Sequence, residues 1–253
     1  MFLFSKYEGA GNDFVLTDEP CSLDAALISK LCHRKFGIGA DGLILIQPDL
    51  EADYRMRIFN PDGSEAESCG NGLRCLLQFL RDRGDLRSYF RIAAADRIVH
   101  GEWKNGLPCV DLGEPRDFKV HPLESSHLFY LDTGVPHAVL FVADASRVPV
   151  LQAAPFFRRH PFFAPRGANV NFASLHADGS ISVRTFERGI EGEVLACGTG
   201  AAAVAYAAHR LFSLPSPIQI RCPGGTLQIF IENNSLKLAG PAKKVFEGSI
   251  CTK

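Results

Sequence analysis

Apolar residues recur at Leu73, Leu76, Leu77 and Leu80, the i, i+3, i+4, i+7 spacing that predicts a helix with one buried face. A second stretch, Ala201 to Leu211, is dense in strong helix formers and predicts another helix. Past each helix the pattern changes to strands. FRIAAADRIVHGEW and LPCVDLGEP lie on either side of Asn105-Gly106, and IQIRCPGGTLQIFIE and SLKLAGPAKKVF lie on either side of Asn233-Asn234. Asparagine and glycine tolerate positive φ, so each pair predicts a tight hairpin turn.

The two helices are introduced by similar segments. RIFNPDGSEAESCGNG runs from Arg57 to Gly72, and RTFERGIEGEVLACGTG runs from Arg184 to Gly200. Both read Arg, any residue, Phe, a loop bearing acidic residues and glycine, then Cys-Gly-x-Gly. Phe59 precedes Cys69 by 10 positions and Phe186 precedes Cys197 by 11. Gly113 and Gly240, each followed closely by proline, fall 44 and 43 residues after their cysteines. A repeat this long predicts a duplicated domain of two similar α/β halves, residues 1–118 carrying Cys69 and residues 119–253 carrying Cys197. The C-terminal end is expected to be able to cross back to the first half.

In both copies the cysteine stands where a loop becomes a helix, beside unused backbone N–H groups and the positive end of the helix dipole. That position is expected to favour a thiolate. Gly70, Gly72, Gly198 and Gly200 would let a ligand carboxylate come close to the peptide N–H groups. A carboxylate so held acidifies its α-carbon, and inversion there needs one base and one acid on opposite faces. Cys69 and Cys197 are therefore the candidate pair. A lone CGxG would be no more than a tight turn with a small buried cysteine; two copies in one repeated frame favour function. Spacing alone leaves the substrate open.

Composition narrows the field without choosing a reaction. The 253 residues hold 46% hydrophobic and 22% charged residues, ordinary for a globular chain. Lys and Arg total 27 against 28 Asp and Glu, a net charge of -1, which offers no general attraction to nucleic acid or anionic lipid. A small polar ligand is expected instead. No apolar run approaches the length of a membrane span, and the start lacks the pattern of an export signal, so the expected location is cytoplasmic. Of the eight cysteines, Cys21, Cys32, Cys109, Cys222 and Cys251 read as small buried hydrophobes, and no zinc-ligand spacing appears.

Five motifs carry a specific resemblance: GAGNDF from Gly9, RKFGIGADG from Arg34, FNPDGSEAESCGNGLRC from Phe59, ANVNF from Ala168, and ERG from Glu187 followed by ACGTGA from Ala196. Together, and in this order, they resemble the diaminopimelate epimerase family along essentially the whole chain. The resemblance implies two pseudosymmetric halves, each a curved mixed sheet around a central helix, with the active site in the cleft between them. It implies interconversion of LL- and meso-diaminopimelate, on the route to lysine and peptidoglycan, with Cys69 and Cys197 as acid and base. It implies no pyridoxal phosphate or metal; oligomeric state stays open, a homodimer being one option. Carried over by residue, the N–H groups of Gly70, Asn71, Gly198 and Thr199 would hold the reacting carboxylate. Asn12, Asn60 and Asn169 would orient polar groups, Arg188 would meet the distal carboxylate, Glu187 an ammonium, and His137 is a further candidate.

Three features depart from the family pattern: Val135 where asparagine is expected, Gly42 where some relatives have glutamine, and one extra residue in the loop from Ile190 to Leu195. Val135 and Gly42 raise the expectation of a roomier, less polar pocket that also accepts another acidic amino acid such as glutamate. Proline-type racemases and phenazine-type isomerases are rivals on the same fold; the former lack the ERG arrangement and the latter do not need two cysteines. A noncatalytic amino-acid-binding protein and a thiol redox sensor are rivals from other classes.

Overall fold

The computed structural model describes residues 1–19, 23–66, 69–123 and 127–251, so Cys21 lies outside the described residues. Its backbone divides into two compact units, residues 1–110 with 240–253, and residues 111–239. The joins thus fall eight residues ahead of the sequence boundary after residue 118, and the C-terminal segment belongs with the first unit.

The first unit is built from β1 (Phe2–Gly9), β2 (Asn12–Thr17), α1 (Ala25–Cys32), β3 (Gly42–Gln47), β4 (Tyr54–Phe59), β5 (Glu65–Ala66), α2 (Gly70–Asp82), β6 (Tyr89–Ala94), β7 (Arg97–Lys104) and the start of β8 (Leu107–Gly113), which runs on into the second. The last strand of the chain, β18 (Lys243–Ile250), pairs antiparallel with β1. The second unit contains β9 (Arg116–Pro122), β10 (His127–Asp132), β11 (Pro136–Phe141), α3 (Val150–Arg158), β12 (Asn169–Leu175), β13 (Ile181–Glu187), β14 (Gly192–Val194), α4 (Gly198–Phe212), β15 (Ile218–Cys222), β16 (Gly225–Glu232) and β17 (Ser235–Ala239).

Connectivity repeats step for step. β1 and β2 are antiparallel, β2 and β3 parallel across α1, β3 and β4 antiparallel, and β4 and β6 parallel across α2. In the second unit β10 and β11 are antiparallel, β11 and β12 parallel across α3, β12 and β13 antiparallel, and β13 and β15 parallel across α4. The predicted turns close both hairpins: Lys104 faces Leu107 and Glu232 faces Ser235, with Asn105, Gly106, Asn233 and Asn234 all at positive φ. The α/β class with two similar halves and mixed sheets is what the structure shows.

Each unit wraps its strands around one helix. α2 touches β1, β2, β3, β4, β7 and β18, while α4 touches β10, β11, β12, β13, β15, β16 and β17. A helix enclosed this way needs small or apolar residues on most sides. Residues 200–208 of α4, nearly all Ala and Gly, are buried without a break, as are residues 71–77 of α2. The outer face of each sheet packs on the other helix of its unit. Val15, Leu43, Leu45 and Phe59 cluster with Ile28 and Leu31 of α1. Ala138, Leu140, Val170, Phe172 and Phe186 cluster with Val150 and Ala154 of α3.

Among the remaining cysteines, Cys32 and Cys109 are buried as expected, whereas Cys222 is half-buried and Cys251 exposed. Cys222 ends β15 at its turn and Cys251 follows the final strand, so neither reaches a core. No helix among the described residues is long and apolar enough to cross a membrane.

Leu76 of α2 is fully buried and Leu86, after the helix, is 80% exposed. Leu76→Ala should cost about 2–5 kcal/mol by leaving a cavity, and Leu86→Ala less than about 0.5 kcal/mol. Denaturant unfolding of both variants checks this, and equal costs would contradict the enclosed position of α2.

Candidate active site

Both candidate cysteines are the residues that cap their helices. Cys69 precedes α2 in extended conformation, and its Sγ accepts the Gly72 N–H at 3.4 Å. Cys197 precedes α4 in extended conformation, with Sγ 3.5 Å from Thr199 Oγ1. The Leu73 and Ala201 N–H groups reach back to the Cys69 and Cys197 carbonyls to open the helical ladders. The N–H groups of Gly198 and Thr199 fall ahead of the α4 ladder, in the first turn where a helix cannot satisfy its own donors.

Around Cys69 the first unit brings together Asn12, Asn71 and two charged groups. Asn12 Oδ1 accepts from Cys69 Sγ at 3.7 Å and from Asn71 Nδ2 at 3.2 Å. Asn12 Nδ2 donates to Asp41 Oδ2 at 2.9 Å, and Asn71 Oδ1 accepts from Arg74 Nη1 at 3.0 Å. Every link therefore donates in one direction, from the buried Arg74 guanidinium through two amides to the Asp41 carboxylate. Charges at both ends fix which end of each amide points where, so a carbonyl oxygen faces the Cys69 thiol.

The loop carrying Asn12 is itself pinned by ions. Asp13 pairs with Lys6 at 2.7 Å and with both Nη atoms of Arg34 at 3.0 and 2.8 Å, and Arg34 also reaches Asp41 at 2.6 Å. Lys6 additionally donates to the Gly39 carbonyl. Burial pushes the Asp13 carboxyl upward, but the bonds and charges of Arg34 and Lys6 outweigh it and hold the group well below the usual carboxylate range. Lys6, Asp13, Arg34 and Asp41 escaped the sequence reading. Arg34, Asp13 and Asp41 sit inside two of the quoted motifs, a signal that was available.

Asn60 stands apart. It is exposed, and its described hydrogen bonds stay in its own turn, with Nδ2 donating to Ser64 Oγ at 3.0 Å and its N–H to the Ser64 carbonyl at 2.8 Å.

The second unit gathers His137, Asn169 and Glu187 on strands beside α4, Arg188 just past the end of β13, and Thr199 in the first turn of α4 itself. Asn169 Oδ1 accepts the Arg188 N–H at 2.8 Å, and His137 lies opposite Asn169 in the β11–β12 register. The Arg188 guanidinium has no hydrogen-bond or ion-pair partner among the described residues. Thr133 Oγ1 donates to the Thr199 carbonyl at 2.9 Å, tying the turn that contains Val135 to the start of α4.

The expectation of a lowered thiol pKa fails at Cys197. Burial raises it, the Glu187 carboxylate raises it further, and the Thr199 hydrogen bond only partly opposes them, leaving the thiol at about 12. Dehydration of the anion outweighs the helix dipole. Glu187 is itself pushed up by burial, against a hydrogen bond from Cys197.

The glycine expectations also change. A Cβ on Gly72 would stand 3.0 and 3.2 Å from Ile44 and Ile58 Cδ1, and one on Gly200 would collide with Asn171 Oδ1. These two glycines let the helices lie close to their sheets. Gly42 opens no space either, because a Cβ there would stand 2.7 Å from the Phe59 carbonyl oxygen. A roomier pocket therefore does not follow from Gly42. Among the described residues no group of three or more His, Cys, Asp or Glu is placed to hold a metal.

Two repeated α/β units, each with a cysteine capping its enclosed helix, define a duplicated epimerase-type fold. The family model described as diaminopimelate epimerase matches residues 4–116 and 129–245, and the chain belongs to that family. Diaminopimelate epimerases of Methanocella arvoryzae and Methanothrix thermoacetophila are 38% and 39% identical to it, over 98% of this chain and 96% and 95% of theirs. A solved phenazine biosynthesis protein of the PhzF family from Bacillus anthracis shares the fold, with TM-score 0.76 at 18% identity over 98% of this chain and 99% of its own.

Glu187→Gln keeps an acceptor beside Cys197 while removing the charge that raises its pKa. Alkylation of Cys197 by iodoacetamide at about pH 8 should then be faster than in the parent protein. Mass spectrometry of timed samples reads the rate; an unchanged or slower rate would remove Glu187 as a cause.

Proposed function

We infer that the protein epimerises LL- and meso-diaminopimelate, with Cys69 and Cys197 as the two groups that give and take the α-proton. The observation that carries this reading is the repeated Cys-Gly-x-Gly cap, one copy in each unit, within a chain that matches diaminopimelate epimerases over nearly its full length.

The chemistry follows from the helix starts. N–H groups of Gly70, Asn71, Gly198 and Thr199 bind the α-carboxylate, and the negative charge that develops on deprotonation spreads onto a group already surrounded by donors. One sulfur removes the proton as thiolate and the other returns one as thiol, the roles exchanging with direction. The raised pKa of Cys197 suits the donor role. Asn12 faces the Cys69 thiol, with Asn60 and Asn169 among the polar groups that orient the substrate. The unpaired Arg188 guanidinium takes the distal carboxylate in a bidentate pair, Glu187 takes an ammonium, and His137 lines the same wall. The first half supplies Cys69 and the second Cys197, and a cytoplasmic location would keep both thiols reduced.

Purified, reduced protein incubated with LL-diaminopimelate in deuterated buffer, without added cofactor, should incorporate α-deuterium as it epimerises. Cys69→Ser and Cys197→Ser should each lower epimerisation by about a hundredfold to ten-thousandfold. NMR follows the exchange, and retention of near-parental rates in either variant would sink the two-thiol mechanism.

Arg188→Met should lower kcat/KM by about tenfold to a hundredfold, mainly through KM, because a charge-assisted pair is worth about 1.5–3 kcal/mol. Initial-rate kinetics read it, and an unchanged KM would take Arg188 out of substrate binding.

A further inference from the structure

Strand alternation in the second unit places His137, Asn169, Asn171, Thr185 and Glu187 on the sheet face toward α4, while Ala138, Val170 and Phe186 pack with α3. A row of polar side chains turned inward, against an alanine-rich helix, reverses the usual burial pattern. The first unit shows that the fold does not require it. With Phe59 and Phe186 as matching positions, the strand registers set Ile44 and Ile58 in the places of Asn171 and Thr185, and Phe14 in that of His137. The same backbone carries apolar residues in one copy and a hydrogen-bonded polar set in the other.

The set has a fixed direction. Asn171 is fully buried; its Oδ1 accepts from Thr185 Oγ1 at 2.9 Å and its Nδ2 donates to the Ala138 carbonyl at 3.0 Å. A carbonyl only accepts, so the amide orientation is settled, and the second Nδ2 hydrogen points at His137 Nδ1, 3.2 Å away. Nδ1 must then carry the lone pair. Burial, with Arg188 nearby, keeps the ring neutral, its pKa lowered to about 3 against the opposing influence of Asp132. The one ring proton belongs on Nε2, which is buried and has no hydrogen-bond partner among the described residues. Buried donors in native proteins are rarely left without an acceptor.

We propose that Asn171 is a positioning residue that holds His137 as its Nε2–H tautomer, so that this single buried donor meets an oxygen of the bound amino acid. The proposal rests on the epimerase reading for the identity of that ligand, but the tautomer itself does not depend on turnover. The first unit's amide chain runs between two charged groups, Arg74 and Asp41, whereas the chain from Thr185 through Asn171 to His137 ends in a neutral donor. An acceptor arriving with the ligand completes it.

The test is two-bond ¹H–¹⁵N correlation NMR on histidine-labelled full-length protein, with the His137 signals identified by their loss in His137→Gln. Wild type should show a pyridine-type Nδ1 and a pyrrole-type Nε2, and adding diaminopimelate should move the Nε2 signal. In Asn171→Asp, a carboxylate facing Nδ1 should transfer the proton to that nitrogen, and epimerisation should fall by about tenfold to a hundredfold. Asn171→Ile with Thr185→Ile copies the first unit's own packing; it should fold, lose the single-tautomer pattern and lose activity similarly. A pyrrole-type Nδ1 in wild type overturns the proposal whether or not any variant folds. An Nε2–H tautomer that persists in both variants with activity within about twofold of wild type overturns it as well. An Nε2 signal unmoved by substrate that is being epimerised overturns the ligand contact. Absence of epimerisation by wild type would count against the epimerase reading instead.

Discussion

Enclosure of a helix by its own sheet is the constraint on which each unit depends. α4 is buried from Gly200 to Ala208 by a run that is small or apolar apart from Tyr206, and β12 presses so near that Gly200 has no room for a Cβ. A helix held this closely has a fixed N-terminus, and the residue that caps it is fixed too. Both cysteines inherit their positions from that packing, since the chain must leave a strand pair and start the helix within a few residues. Site geometry is here a by-product of core geometry, and precision at the thiols comes from rigid elements.

Side-chain amides transmit charge over several residues without titrating. Arg74 and Asp41 stand at the two ends of a chain through Asn71 and Asn12, and the sign at each end dictates the orientation of both amides. Cys69 therefore faces a carbonyl oxygen, a neighbour that accepts from a thiol and repels a thiolate. Cys197 faces a carboxylate and lies in a drier place. Burial and neighbouring negative charge outweigh the helix dipole there because the dipole's benefit is of order 1 kcal/mol, while dehydration of an anion costs several.

Much of this was legible in the sequence, and the part that was not has a common cause. Repeats, both capping cysteines, the two long helices and the Asn105-Gly106 and Asn233-Asn234 turns all rest on local pattern, and they appear where the pattern puts them. Polar residues at alternate strand positions do not disclose what covers them. Asn169-Val170-Asn171-Phe172 alternates as a half-exposed strand should, yet all four residues are buried and the asparagines face a helix. Periodicity tells which residues share a face, and only tertiary packing tells what covers it. Gly42, Gly72 and Gly200 raise the same difficulty, since a glycine that admits a ligand and one that admits a neighbouring strand or helix look alike in sequence. The thiol pKa depends on the depth of burial at a cap, a quantity no local motif contains.

Duplication explains why the two halves could diverge at the site while keeping one fold. Hydrophobic contacts with α1 and α3 use the outer faces of the strands, so the α2 and α4 faces were free to change chemistry provided that volume was kept. The first unit keeps Phe14, Ile44 and Ile58 against its helix and places its polar groups in the Asn12 loop and the first turn of α2. The second puts His137, Asn171 and Thr185 in the sheet itself. Inversion at one carbon needs a base and an acid on opposite faces. The repeated backbone places one thiol at each helix start, and the neighbours of the two differ, an amide oxygen at Cys69 and a carboxylate at Cys197.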